Sequence, residues 1–125
     1  MAGTLVISTL SDGTNSTSST NCIQGSAKAW VNFNGIPTVS IRKAYNVSSI
    51  TRNGTGDYSV NFTNAISDAN GCVLATGTHD NGSYTGIAYV DNDNTPLTTS
   101  RARINFLGTG NSFIDVSYGM CAVFD

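Results

Sequence analysis

The single histidine is the side chain in this sequence best suited to acid–base chemistry. His79 lies in the polar stretch GTHDNGS, where Asp80 or the later Asp91 could orient its ring in a Ser-His-Asp triad. Such a triad is defined by geometry, so an abundance of serines does not establish one. The chain also lacks the G-x-S-x-G motif that exposes a nucleophilic serine on a sharp turn. We therefore interpret His79 as a turn residue and predict no catalytic residues and no enzymatic activity.

A second candidate for chemistry is the run DNDN at residues 91–94, whose side chains resemble half of a calcium loop. Calcium requires several converging oxygen ligands. The full loop motif has glycine at its sixth position and glutamate at its twelfth, but here the sixth position is Pro96 and the chain has no glutamate. The aspartates are scattered over predicted turns and suggest no glycosidase pair. We predict an Asx-rich turn, no metal site and no cofactor.

The distribution of charged and apolar residues argues against nucleic-acid-binding proteins and membrane-spanning proteins. Charged residues make up 11% of the sequence, and the formal net charge is −2. The neighbouring basic residues are the isolated pairs Arg42–Lys43 and Arg101/Arg103, so the basic surface of a nucleic-acid-binding protein is missing. No apolar run approaches the roughly 20 residues that span a bilayer, and MAGTLVISTL lacks the basic start of a signal peptide. We predict no nucleic-acid partner, no membrane insertion and synthesis in a cytoplasm.

The clearest structural signal lies in residues 57–64, where Tyr58, Val60 and Phe62 alternate with small polar residues. A period of two places the apolar side chains on one face of a strand. RNGTGD supplies the preceding tight turn. Similar patterns predict strands over residues 28–34, 38–45, 47–51, 57–64, 71–76, 84–90, 101–107 and 112–124. The sequence therefore predicts an all-β fold, a single antiparallel β-sandwich of the jelly-roll type.

The first 25 residues differ from the rest of the chain. Residues 3–10 are apolar and β-branched, whereas residues 11–21 contain no hydrophobic side chain and cannot fold alone. We predict an extended N-terminal arm over residues 1–25, serving as a linker or ordered by other subunits, and a sandwich domain over residues 26–125. The unpaired edges of an isolated strand favour a partner, so Leu5 and Ile7 are predicted inter-subunit contacts.

Three aromatic residues are candidates for contacts with other molecules. Trp30 is opposite in phase to its apolar strand neighbours, so it either faces a second packed layer or lies at a subunit contact. Tyr84 and Tyr89 flank the strand that follows the HDNGS turn, and either could contact a receptor or join the core. With His79 and Asp80 of that turn, they form the predicted receptor-contact residues.

The three cysteines do not form an obvious disulfide framework, because their number is odd and their spacing wide. Cys72 and Cys121 lie in apolar surroundings and are interpreted as small buried core residues. A bridge between these two residues remains an alternative, although a reducing compartment disfavours it.

Several stretches resemble the small β domains of tailed-phage virion proteins, in particular tail-fibre modules of phages that infect cyanobacteria and marine bacteria. They are MAGTL, the following Ser/Thr-rich segment, GSAKAWVNFNG, and IR-x-x-YNVSSITRNGTGDYSVNF with its FTNA end. The resemblance covers most of residues 1–66, and the second half is only generically similar. It implies a non-catalytic virion protein made in a host bacterial cytoplasm. It also implies a homotrimer whose N-terminal part docks to the particle and whose β-rich knob faces outward.

The expected function is therefore that of a short tail-fibre or receptor-binding subunit acting in host adhesion. Its expected partners are sister subunits, other virion proteins such as a tail adaptor, nozzle or capsid protein, and a glycan or protein on the host surface. A capsid cement or decoration protein, or a head fibre, is the first alternative. A carbohydrate-binding module of cellular origin is the second.

Overall fold

The computed structural model of the chain describes residues 3–79, 85–90 and 95–125. One short helix, α1 (Ser19–Gly25), lies among these residues. The strands are β1 (Thr9–Ser11), β2 (Ser16–Ser18), β3 (Ala29–Asn34), β4 (Ser40–Tyr45), β5 (Val47–Gly54), β6 (Asp57–Phe62), β7 (Cys72–Thr78), β8 (Thr85–Val90), β9 (Arg101–Leu107) and β10 (Tyr118–Phe124). The all-β prediction is therefore confirmed.

Strands β3 to β10 pair in the order β4-β3-β10-β7-β8-β9-β6-β5, and every pair is antiparallel. The two halves of this order face each other across the core. Phe33 on β3 lies 5.2 Å from Tyr58 on β6 and 6.5 Å from Phe106 on β9, measured between ring centroids. This packing confirms the antiparallel sandwich, whereas the strand order does not confirm its jelly-roll topology.

The core forms from the alternating positions that the sequence indicates. Tyr58, Val60 and Phe62 point inward and are buried, while Asn61 lies on the outer face. The remaining buried apolar residues come mainly from β3, β9 and β10, and they are Ala29, Val31, Phe33, Ile66, Leu97, Ala102, Ile104, Phe106, Val116, Cys121 and Val123. Because one face of each strand must be buried, this pattern fixes the register of the pairing.

The last strand is shorter than the range that the sequence predicts. It begins at Tyr118 instead of residue 112, because residues 112–117 form a loop. Its inward side chains are Cys121 and Val123, so Tyr118 and Met120 point outward. Gly119 also faces inward, beneath the ring of Phe33, which stands where a Cβ at this position would lie. Only glycine allows this close approach without a shift of the ring.

The N-terminal segment, defined as residues 3–25, is not confirmed as an extended arm, because part of it forms a hairpin and a helix. Only Thr9 and Leu10 of the apolar stretch lie in a strand, β1, which pairs with β2 in a hairpin that α1 follows. Asp12 closes the hairpin turn, since its Oδ1 accepts from the N–H groups of Thr14 at 2.9 Å and Asn15 at 2.7 Å. Ser18 caps α1 by accepting from the Asn21 N–H at 3.1 Å. Local polar contacts thus order residues that lack a core of their own.

The cysteine predictions are half correct. Cys121 is buried, and burial raises the pKa of its thiol to about 12. Cys72 is exposed on the outer face of β7, so the prediction that it lies in the core is wrong. The apolar neighbours of Cys72 misled that interpretation, because β7 carries apolar residues on both faces. Both thiols are free, and they lie on opposite faces of the sheet.

Candidate functional site

The outer face of β4, β3, β10 and β7 carries several large apolar side chains that stay exposed. Trp30 pairs with Tyr45 on one side and with Ala122 on the other, and Ala122 pairs with Leu74. Tyr45 is 58% exposed and Leu74 is 57% exposed. These residues form an apolar row across all four strands. We call this surface the aromatic face. Its large apolar side chains are Trp30, Tyr45, Leu74, Tyr118 and Met120, and its charged side chains are Arg42 and Lys43.

Arg42 makes three contacts that hold its side chain on the aromatic face. Its guanidinium carbon lies 4.0 Å from the centroid of the Tyr118 ring, a cation–π contact. Arg42 also donates to the Phe33 carbonyl at 2.8 Å and to the Asn34 side-chain oxygen at 3.2 Å. A break in register between β3 and β4 at this level brings Arg42 onto the outer surface.

The charges on the aromatic face are all positive. Arg42 and Lys43 are the charged residues of its four strands, whose sequences contain no aspartate or glutamate. Asn32 pairs with Lys43 across the strands, and its side-chain oxygen is buried without a hydrogen-bond partner among the described residues. The face therefore combines apolar rings with positive charge and an unsatisfied acceptor, and its row of apolar side chains has Trp30 half-buried and Tyr45 and Leu74 more than half exposed.

A small polar cavity of about 270 Å³ borders the aromatic face at Tyr45. Its other lining residues are Asn46, Thr63 and Asn64. Asn46 adopts a left-handed backbone conformation with φ of 54° between β4 and β5. Its amide group donates to the Asn64 carbonyl at 3.1 Å, and its side-chain oxygen accepts from the Asn64 N–H at 2.8 Å. These bonds fix the edge of the face at the turn between the two halves of the sheet.

The opposite outer face, on β5, β6 and β9, is polar, and its side chains bond to one another. Asn61 donates to the hydroxyls of Ser49 and Thr51, each at 3.0 Å. Arg103 forms an ion pair of 2.6 Å with Asp57. The hydrogen bond from Arg103 lowers the pKa of Asp57, although burial opposes this effect. Asn61, Arg103 and Asp57 of this face thus already have partners within the chain.

A second polar cluster surrounds Asp115 at the edge of the core. Arg52 donates to its carboxylate in a bidentate pair, with bonds of 2.9 and 2.7 Å. The Tyr58 hydroxyl donates at 2.7 Å, and the Gly56 N–H donates at 3.0 Å. Burial alone would raise the pKa of Asp115, but these donors outweigh it and lower the pKa to about 2. Burial and the carboxylate raise the pKa of Tyr58 well above its usual range. We interpret this cluster as a structural contact that joins β5 and β6 to the loop before β10.

The predicted receptor-contact residues do not come together in the described part of the structure. His79 is half-buried just after β7, whereas Tyr89 is half-buried on the outer face of β8, opposite Asn105. Asp80 and Tyr84 lie outside the described residues, as does the 91–94 run. Their role in receptor contact stays a prediction.

The predicted inter-subunit residues are accessible at two separate surfaces. Leu5 is 81% exposed and Ile7 is also exposed, and with Val6 they line a cleft of about 370 Å³ in the N-terminal segment. The other lining residues of this N-terminal cleft are Leu10, Ser19, Cys22 and Ile23. Trp30 lies on the aromatic face and outside the core cluster, so the alternative that it joins the core is wrong.

Sequence reasoning missed the other members of the aromatic face. Tyr45 lies two residues from Lys43 on one strand, and this spacing could have placed both on an outer surface. Tyr118 and Met120 gave no such signal, because the residue between them is glycine and the residues after them are apolar.

No known protein family, no curated protein and no solved structure matches the chain. Within the described residues, no group of three or more histidine, cysteine or acidic side chains is arranged to hold a metal ion. The helix in this part of the chain is too short and too polar to cross a membrane.

Proposed function

We propose that the protein is a non-catalytic structural subunit of a phage particle, of the short tail-fibre type, which acts in host adhesion. The sequence resemblance over residues 1–66 supports the virion setting. The single observation that supports assembly is the exposure of consecutive aliphatic side chains in the N-terminal segment, where Leu5 is 81% and Val6 is 89% exposed. Large exposed apolar patches are unfavourable in water and mark interaction sites.

Assembly would also serve adhesion directly. Several copies joined in one particle present several binding sites, so weak contacts with a host surface add up to a strong attachment. Burying the aliphatic side chains of the N-terminal segment between copies would supply the free energy of association. The resemblance implies three copies.

Light scattering coupled to size exclusion tests this proposal on the full chain. We expect a mass near three times the 13.0 kDa of one chain. The double substitution Leu5→Glu and Ile7→Glu should yield the monomer, because it places two charges where aliphatic groups must be buried. Thr14→Glu with Thr20→Glu is the matched control, since both threonines are exposed and polar. A wild-type monomer at all accessible concentrations would overturn the proposal.

A capsid cement or decoration protein is the second candidate. The same exposed aliphatic segment favours it, because a decoration protein would use such a segment to bind the capsid instead of sister chains. Imaging of particles that carry a labelled copy of the chain separates the two functions by the position of the label.

A further inference from the structure

We propose that the N-terminal segment of one copy packs on the aromatic face of another copy, which gives a head-to-tail interface. This inference rests on the self-assembly proposed above and names the surface that receives the segment. The segment contributes aliphatic side chains around Leu5, Ile7 and Ile23, and the face contributes Trp30 and Leu74.

The first reason is that one chain exposes both surfaces and does not pair them. Leu5 is exposed on the segment, and Tyr45 and Leu74 are exposed on the face of the same chain. Only residues 26–28 separate the end of α1 from the start of β3. Lys28 donates its ammonium group to the Ile23 carbonyl and holds the helix at that end of the sheet. Because this short connection holds α1 in place, we expect a second copy to cover the face.

The second reason is the position at which the segment leaves the sandwich. Gln24 of α1 lines a cavity of about 550 Å³ together with Cys72 and Phe124. These two residues form the outward pair that lies next to the Ala122–Leu74 pair of the aromatic face. The C-terminal end of the N-terminal segment therefore lies beside the edge of the aromatic face. If the N-terminal segment of one copy covers the aromatic face of a second copy, the segment of the second copy begins next to that interface and can extend the contact to a third copy.

The third reason is the complementarity of charge. Asp12 is the charged residue of the segment, and hydrogen bonds from the backbone of Asn15 and Thr14 lower its pKa, so it stays ionised. The face carries Arg42 and Lys43 without an acid on its four strands. Two faces brought together would place four positive charges in one interface, whereas a segment on a face brings opposite charges together.

The symmetry of such an interface is heterologous, because two different patches meet. Heterologous contacts close into a ring when the rotation between copies permits it. Contacts between two N-terminal segments, or between two aromatic faces, would instead pair like with like. The two arrangements can be distinguished by mixing variants.

The experiment uses two full-length variants that should each be monomeric. Leu5→Glu with Ile7→Glu disables the segment and leaves the face intact, while Leu74→Glu disables the face and leaves the segment intact. When the two are mixed, the intact segment of one can bind the intact face of the other. We expect native mass spectrometry to show a mixed dimer of twice 13.0 kDa that neither variant forms alone.

Phe113→Glu is the matched control, because Phe113 is 49% exposed but lies outside the aromatic face. This variant should assemble like the wild type. Three results would overturn the inference: no mixed dimer at high concentration, assembly that withstands Leu74→Glu, or a Phe113→Glu chain that also fails to assemble. If Leu74→Glu chains still assemble while the double segment variant does not, self-assembly stands and the aromatic face is free for another ligand.

Discussion

Replacing Asp115 by asparagine tests the strongest electrostatic contribution that the structure shows. The side chain is 17% exposed and receives hydrogen bonds from Arg52, Tyr58 and Gly56. Its pKa falls from the usual 3.8 to about 2. At about 1.4 kcal/mol for each pKa unit, the ionised form contributes about 2 kcal/mol to the free energy of unfolding at pH 7. Asparagine keeps the shape of the side chain but removes the charge that Arg52 pairs with.

The pH dependence of this effect has a definite sign. Because the pKa of Asp115 is lower in the folded state than in the unfolded state, its contribution is complete above about pH 4 and disappears as the pH falls through 2. We therefore expect Asp115→Asn to lower the free energy of unfolding by about 2 kcal/mol at pH 7, or roughly 6–10 °C in Tm. At pH 2 the difference from the wild type should shrink below about 0.5 kcal/mol.

Urea denaturation followed by tryptophan fluorescence at several pH values measures this difference. Asp68→Asn is the control, because Asp68 is exposed and accepts one local bond, from the Asn70 N–H at 2.6 Å, which asparagine can also accept. Its effect should stay within about 0.5 kcal/mol. An Asp115→Asn chain that is as stable as the wild type at pH 7, or a difference that does not change with pH, refutes the reasoning.

Three further substitutions or modifications probe the core. Gly119→Ala should destabilise the fold by about 1–3 kcal/mol, because the new methyl group meets the Phe33 ring, and Phe33→Leu in the same chain should relieve part of that clash. If both single changes add fully in thermal melts, the two residues are not in contact. Cys121 should react with a thiol reagent only after unfolding, since burial raises its pKa to about 12; labelling of the native protein at this residue would contradict its burial. Tyr58→Phe should cost about 1 kcal/mol through the lost bond to Asp115, and an unchanged melting temperature would show that bond to be unimportant.

The strands of the sandwich were predictable wherever one face is apolar and the other polar. The prediction for residues 101–107 coincides with β9, and Tyr58 and Val60 occupy the buried face that their alternation indicates. In such strands a slip by one residue would move the whole apolar set into water, so the sequence determines the register.

The phase of the last strand was not predictable by the same rule. Tyr118, Met120, Cys121 and Val123 are all apolar or aromatic, so alternation does not decide which pair faces the core. The signal that could have decided is Gly119, because a glycine within a strand often marks a close approach by another group. Here that group is the ring of Phe33.

The hairpin and the helix of the N-terminal segment were not predicted, because hydrophobic patterning is not what orders them. The Asp12–Gly13 pair is a turn signal, and Gly13 has a positive φ of 97°. Ser18 is a recognised helix-capping residue type. Both signals were present in a stretch without apolar residues, where the absence of a core suggested an extended chain.

The two outer faces of the sandwich differ in what a partner would have to displace. On the polar face, Asn61 already bonds to two hydroxyls and Arg103 already pairs with Asp57, so a partner covering it must break these bonds or match them. On the aromatic face, Tyr45 and Leu74 contact water, and covering them releases that water without breaking a protein bond. The strands that form the two faces show similar alternation of side chains in the sequence. The difference between them lies in the cross-strand contacts, which give Asn61 and Arg103 on one face partners within the chain and leave Tyr45 and Leu74 on the other open to a second molecule.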